Sequence, residues 1–289
     1  MLPGEFHTVD GVKLHLIRKG EGAPCVVIST GGGVAADRWA PLVDAIAEFT
    51  TVAVYDRPGY GWSEPSRVPR TLDNVSRELE GLLDAAALRG PFVLVGHSLG
   101  GPYVRQFARR NPDQVAGIVL VDSSHEQQLS RLPRRVVMFQ KLLVLVLSRR
   151  WVLWLLGPLL RRAVARSLPA TAGSSEESRE DLLQRESSPT KVIATMAEMD
   201  AMGDFGASMA TPLPPVPMVV LVAGSMKAPG SKGAEDAALR RTWLELQREL
   251  TAMSPRGEMR IVEGAGHMIP DDKPEAVIDA VRSLVMATR

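Results

Sequence analysis

The sequence predicts an α/β fold: a mostly parallel, eight-stranded sheet with helices on both faces and one helical insertion. Three observations predict it. Short apolar runs such as Val26-Val27-Ile28, Phe92-Val93-Leu94-Val95 and Val115 to Val121 do not alternate with polar residues, as expected of strands buried on both faces. Segments of helical period separate them, as in Leu72, Val75, Leu79, Leu82 and Leu83 at spacings of three and four. The alternation then stops after Asp122 and resumes only at Met218-Val219-Val220-Leu221-Val222.

Taken in order, Phe6 to Val9 and Val12 to Ile17 read as two strands joined by Asp10-Gly11, a hairpin signal. Val26 to Ile28 is a buried strand that ends in Ser29-Thr30-Gly31-Gly32-Gly33. Trp39 to Phe49 fits a helix and Thr51 to Tyr55 another buried strand. The turn-rich Arg57-Pro58-Gly59-Tyr60-Gly61 leads to a helix over Leu72 to Leu88. The strand over Phe92 to Val95, a helix over Pro102 to Arg110 and the strand over Val115 to Val121 follow. After the helical stretch, a proline-rich lead-in (212–217) opens the strand at Met218. A helix over Glu235 to Ala252, a strand over Glu258 to Val262 and a last helix over Pro274 to Met286 close the chain. The expected organisation is 1–125 as the first part of the core, 126–211 as a helical cap insertion, and 212–289 as the second part. Gly173 to Ser178 reads as a flexible stretch inside the insertion.

At 289 residues, 45% hydrophobic and 23% charged, the chain has an ordinary globular balance and can bury a large core. A net charge of +1 provides no global field for nucleic acid, which is not expected as a partner. The single cysteine, Cys25, rules out an internal disulfide framework and reads as a small buried residue. Met1 to His7 has no basic stretch followed by an apolar one, so no secretory signal is read and a cytoplasmic location is expected.

The chemistry centres on Gly96-His97-Ser98-Leu99-Gly100, between a buried strand and a helix. A serine at such a strand-to-helix turn forms a nucleophile elbow, and glycines flank it because side chains there would strike neighbouring backbone. A serine hydroxyl needs a base within hydrogen-bond reach, and the base needs an orienting group. Of 5 histidines, His267 in Gly264-Ala265-Gly266-His267 follows the final strand, where the order serine, acid, histidine places the base. His7 and His15 belong to the N-terminal hairpin. His97 reads as a pocket wall. His125 reads as a surface histidine, with a place at the site mouth as the alternative.

The late strand ends in Ala223-Gly224-Ser225, without a carboxylate, whereas the preceding one ends in Val121-Asp122. Both ends lie on one edge of a parallel sheet, so Asp122 is the expected acid. A helix-capping role for Asp122 is the alternative, with Glu235 and Asp236 as other acids. Backbone N–H groups of Gly32 and Leu99 are the expected oxyanion donors. The glycine run is not a phosphate loop, because Val34-Ala35 stands where Gly-Lys-Ser/Thr would be required. No cofactor or metal is expected.

These stretches, with Tyr55-Asp56-Arg57-Pro58-Gly59-Tyr60-Gly61-Trp62-Ser63, resemble the α/β-hydrolase superfamily, in particular its capped group related to esterases, C–C bond hydrolases and haloalkane dehalogenases. The resemblance implies an α/β-hydrolase sheet, a catalytic serine Ser98 with His267, and Gly32 and Leu99 as the oxyanion hole. Thr30-Gly31 departs from the His-Gly common among members, which leaves a backbone donor intact. Some members carry the acid after the earlier strand, which supports Asp122. The serine nucleophile argues against dehalogenase and epoxide-hydrolase chemistry. Asp56-Arg57 is expected to fix the loop beside the site.

Residues 131–170 carry nine Arg and Lys and no Asp or Glu, interleaved with the apolar runs Leu142 to Leu147 and Trp151 to Leu156. Neither run reaches the about 18 residues of a membrane-spanning helix. Two readings stand: cap helices whose apolar faces cover the site, with Gly31, His97, Trp151 and Trp154 lining the pocket, or a helix pair lying on an anionic membrane surface. The first is favoured, with Met196, Met199, Met202 and Met209 as an adaptable wall. The expected function is hydrolysis of a carboxylic ester or lactone with an apolar portion through an acyl-enzyme on Ser98. The alternatives are a C–C hydrolase or aminopeptidase of the same fold, or a ligand-binding protein with little turnover. The oligomeric state is left open.

Overall fold

The computed structural model describes residues 4–167, 179–208, 212–225 and 234–289. Eight strands form one sheet: β1 (Glu5–Val9), β2 (Val12–Lys19), β3 (Cys25–Ser29), β4 (Val52–Tyr55), β5 (Phe92–His97), β6 (Val115–Val121), β7 (Met218–Ala223) and β8 (Gly257–Val262). Their spatial order is β1-β2-β4-β3-β5-β6-β7-β8. β2 runs antiparallel to both neighbours, and every pair from β4 to β8 is parallel. This is the α/β architecture expected from the sequence.

The central strands are apolar throughout because successive side chains enter opposite cores. Val93 and Val95 of β5 pack with Leu42, Val43 and Ile46 of α1 (Ala40–Ala47) on one face. Phe92 and Leu94 pack with Leu79, Leu82 and Leu83 of α2 (Leu72–Ala85) and with Val104 and Phe107 of α3 (Gly100–Arg110) on the other. Thr71 starts α2 as its N-cap, accepting from the Asn74 N–H at 3.2 Å. Burial pushes the Cys25 thiol up to about 12, so it stays a neutral core group.

Between β6 and β7 the described residues form helices and no strand: α4 (Gln128–Arg131), α5 (Arg134–Leu147), α6 (Arg150–Ser167), α7 (Arg179–Glu186), α8 (Pro189–Ala201) and α9 (Phe205–Ser208). Three more follow: α10 (Ala234–Thr251) on the α2/α3 face, α11 (Ile269–Asp272), and α12 (Pro274–Ala287), which joins α1. The helical segment sits on the loops that leave β3 and β4. A Cβ on Gly33 would lie 3.2 Å from the Thr195 hydroxyl, and one on Gly59 would lie 2.7 Å from Ala194. Met202 and Phe205 pack on Leu72, Val75, Leu99 and Tyr103. The Gly173 to Ser178 stretch and Met209 lie outside the described residues.

Two apolar faces of that segment differ from expectation. Trp151 and Trp154 are 67% and 79% exposed, while Val152 and Leu153 beside them are buried. A period of 3.6 residues puts Trp151, Trp154 and Leu155 on one side of α6, away from Leu153. Both tryptophans thus face solvent rather than an enclosed pocket. On α5, Met138, Phe139, Leu142 and Leu145 are likewise exposed.

Candidate active site

Ser98 stands between the end of β5 and the start of α3, with φ of +51°. A non-glycine residue in this left-handed region is strained by about 1–3 kcal/mol, and the surroundings impose it. The Ser98 N–H donates to Val121 O at 3.1 Å, and the Ser98 carbonyl accepts from Gly101 N and Ser124 N at 3.0 Å each. The flanking glycines are required by space. A Cβ on Gly100 would lie 2.0 Å from Ser29 O, and one on Gly96 would lie 2.7 Å from Gly101 Cα.

Asp122 leaves β6 with φ of +40° and is 1% exposed. Its Oδ1 accepts from the Ala223 N–H at 3.0 Å and from the Trp243 indole N–H at 2.8 Å. Its Oδ2 accepts from His267 Nδ1–H at 2.6 Å. With that proton on Nδ1, His267 Nε2 is free to accept from the Ser98 hydroxyl, 3.0 Å away. The structure thus brings together Ser98, His267 and Asp122, read from three separate loops. Asp122 is the carboxylate bonded to His267, and Glu235's side chain lies outside the described residues. The His267 loop is pinned by Ser225 N–H to Ala265 O at 3.0 Å and by Gly266 N–H to Asp272 Oδ2 at 2.8 Å. The His267 side chain remains 48% exposed, so the site opens to solvent.

Gly32 and Leu99 lie side by side: a Cβ on Gly32 would meet Leu99 Cδ1 at 2.7 Å. Neither N–H is engaged by another of the described residues. Gly31, just before, is buried against His97 and Ser98, and its carbonyl accepts from Arg57 Nη2 at 2.9 Å.

His97 is not a pocket wall. It is 1% exposed, and its Nε2–H donates to the His267 carbonyl at 3.0 Å with the two rings 5.0 Å apart. Burial, aided by the nearby His267, lowers its pKa to about 4, so it is neutral at ordinary pH. The elbow forces it inward, because residue 97 ends a strand buried on both faces. His125 is not a surface residue either: it is 3% exposed, and its Nδ1 accepts from Gln127 N at 3.0 Å.

Sequence reasoning missed two supports. Trp243 holds the acid, but it lies on α10 among the buried Leu239, Leu246 and Leu250, so the sequence signals only core. Glu198 of α8 is fully buried and accepts from Arg57 Nε and Nη2 at 2.8 and 2.9 Å and from the Tyr60 hydroxyl at 2.7 Å. Arg57 also donates to Thr30 O at 2.7 Å. The expectation that Arg57 fixes the loop beside the site is what the geometry displays, with an unforeseen partner across in the helical segment. His15 Nδ1 meets Asp56 Oδ2 at 2.7 Å, and both groups are buried.

A groove of about 490 Å³ opens between α5 and α8, lined by Lys141, Val144, Leu145, Arg149, Met199 and Asp200 among others, and by no member of the Ser98 site. Among the described residues no group of three His, Cys, Asp or Glu side chains has the geometry to hold a metal.

A model of the alpha/beta hydrolase family matches residues 26–280. An uncharacterized protein of Bacillus subtilis, YqjL, is 37% identical over 117 residues, which are 40% of this chain and 46% of that protein. The chain thus spans less than half the length of that relative. An AB hydrolase superfamily protein of Gibberella zeae is 25% identical over 92% of this chain and 87% of its own length. Among solved structures, the epoxide hydrolase CorEH superposes with a TM-score of 0.73 at 20% identity, covering 99% of each chain. An esterase from Thermogutta terrifontis superposes with a TM-score of 0.66 at 21% identity, covering 99% of this chain and 98% of its own. At such identities the two structures speak for the fold alone. The family match, from β3 to within the last helix and over most of the chain, is the stronger finding, and the chain belongs to the alpha/beta hydrolase family.

Proposed function

We propose that the protein is a serine hydrolase that cleaves a carboxylic ester or lactone with an apolar portion. The observation that carries this reading is the continuous hydrogen-bonded line from Asp122 through His267 to Ser98. In the proposed reaction His267 Nε2 takes the Ser98 proton as Oγ attacks the carbonyl carbon. Asp122 holds the imidazole in the required tautomer and stabilises the imidazolium that forms. The Gly32 and Leu99 N–H groups, which no other described residue engages, receive the developing oxyanion. The His267 proton then passes to the leaving alkoxide. Water, deprotonated by the same nitrogen, attacks the acyl-enzyme and releases the acid and Ser98.

The nucleophile separates this from epoxide opening. A serine oxygen attacking an epoxide carbon would leave an ether, which water does not cleave, whereas attack on a carbonyl leaves a hydrolysable ester. The described helices between β6 and β7 serve in this reading as a cap that contributes Met202 and Phe205 against Leu99.

The test is hydrolysis of p-nitrophenyl esters of increasing acyl length by the wild type and by Ser98→Ala, His267→Ala and Asp122→Asn. Each variant is expected to lose on the order of 10^4-fold or more in kcat. Full activity in Asp122→Asn would remove the acid assignment. A wild type inert on every ester would turn the reading toward C–C cleavage or ligand binding.

A further inference from the structure

Two adjacent helices, α5 and α6, present large apolar side chains that none of the other described residues covers. Met138, Phe139, Leu142 and Leu145 of α5 and Trp151, Trp154, Leu155 and Leu159 of α6 are each between 57% and 79% exposed. Isolated exposed apolar side chains are ordinary, but two adjacent helices presenting eight of them are not. Residues 131–167 around this surface hold nine Arg and Lys and no Asp or Glu. Arg134, Lys141, Arg149, Arg150, Arg162 and Arg166 are exposed. Arg131 and Arg161 are ion-paired with Glu249 and Glu180.

We propose that the α5–α6 pair is a peripheral docking surface for an anionic lipid bilayer, with the apolar side chains in the acyl boundary and the cations at the headgroups. Charge decides between the possible occupants. A symmetric contact between two copies would bring the same cations face to face, whereas anionic headgroups neutralise them. Tryptophan pairs suit the headgroup level, where an indole is apolar on its faces and polar at its N–H. No single helix among the described residues is long and apolar enough to span; α5 and α6 together have the length and composition, but the 104° bend between them interrupts a straight crossing. Each helix therefore lies along the surface with one side immersed. The proposal stands apart from catalysis, since binding needs no turnover.

The experiment is co-sedimentation of the full chain, as wild type and as Ser98→Ala, with vesicles of phosphatidylcholine alone and with phosphatidylglycerol added. Both proteins are expected to pellet with the anionic vesicles, to remain in solution with the neutral ones, and to be released by added salt. Trp151→Ala/Trp154→Ala should weaken partitioning by more than about tenfold. Each exposed cation replaced, as in Arg150→Gln and Arg162→Gln, should weaken it roughly fivefold. Circular dichroism checks that the variants fold. If the tryptophan variant does not fold, the arginine variants and the salt dependence of the wild type carry the test alone. Absence of pelleting with anionic vesicles, or equal pelleting with neutral ones, overturns the proposal. So does a dimer in sedimentation velocity that Arg150→Gln and Arg162→Gln strengthen, which would make a second copy the occupant.

Discussion

Glu198→Ala is expected to destabilise the folded chain by about 3–5 kcal/mol, the range for removing one partner of a buried ion pair. Arg57 and Glu198 are both fully excluded from solvent. The carboxylate accepts three hydrogen bonds, from Arg57 Nε, Arg57 Nη2 and the Tyr60 hydroxyl, and lies 3.6 Å from Arg70 Nη2. Alanine strips all of these and leaves a guanidinium with no water to replace them. Such a loss is a large share of the about 5–15 kcal/mol that holds a typical domain folded. Urea unfolding followed by circular dichroism reads it. The same change should reach the reaction, because Arg57 holds the carbonyls of Thr30 and Gly31, immediately before the proposed oxyanion donor Gly32. A fall in kcat of roughly ten- to a hundredfold is expected from a loosened loop. The double variant Arg57→Met/Glu198→Met separates the two effects. With the Arg57–Glu198 pair gone and Arg70 still paired with Glu78, stability should return to within about 2 kcal/mol of wild type, while activity stays low. A Glu198→Ala stability loss below about 1 kcal/mol would refute the buried-charge argument. Recovery of activity in the double variant would refute the claim that Arg57 holds the loop.

The acid response of the same carboxylate has a definite sign. Burial works to raise the Glu198 pKa, but the charges of Arg57 and Arg70 and the bonds from Arg57 and Tyr60 outweigh it and hold the group below 4.5. A carboxylate depressed on folding stabilises above its unfolded pKa, and that stabilisation is lost as pH falls through the folded value. Glu198→Ala should therefore show a shallower loss of stability at acid pH than wild type.

Three further predictions follow from the site's supports. His97→Asn should flatten the stability profile between pH 6.5 and about 4, where the unfolded histidine binds a proton that the buried one does not, with up to about 3 kcal/mol at stake; parallel urea titrations at several pH values measure it. Trp243→Phe keeps an aromatic ring in the core but removes the 2.8 Å donor to Asp122 Oδ1; a stability loss of about 2 kcal/mol and a lower kcat with little change in KM are expected in unfolding and steady-state assays. Gly100→Ala would place a methyl 2.0 Å from the backbone Ser29 O, which has no flexible end to give way, so a loss of at least about 2 kcal/mol and of ester hydrolysis is expected.

The strands were legible because a strand buried on both faces leaves an unbroken apolar run, and each of β3 to β7 is such a run. Ser98 and His267 were legible because their turns need small neighbours, and glycine spacing is visible without coordinates. Asp122 could be reached only by noticing that the later strand end lacked a carboxylate. Its second oxygen, bound by Trp243 from a helix 121 residues further on, leaves no local trace at all. Glu198 was hidden for a related reason: a lone glutamate on a helix reads as a solvated face, and only the meeting of α8 with the Arg57 loop buries it.

The helical segment shows where periodicity stops being informative. A hydrophobic stripe says that one side of a helix avoids water, but it does not say what takes water's place. For α3, Val104 and Phe107 meet the sheet, and the stripe faces the core. For α6, Val152 and Leu153 are buried, while Trp151, Trp154, Leu155 and Leu159 are exposed. Apolar groups on both sides of one helix cannot all be met by a single protein layer. The composition of 131–167, nine cations without one acid, is the observation on which the proposed anionic surface rests. Hydrophobic pattern and charge pattern therefore have to be read together: the first locates the buried sides, and the second names the environment of the side that the fold leaves open.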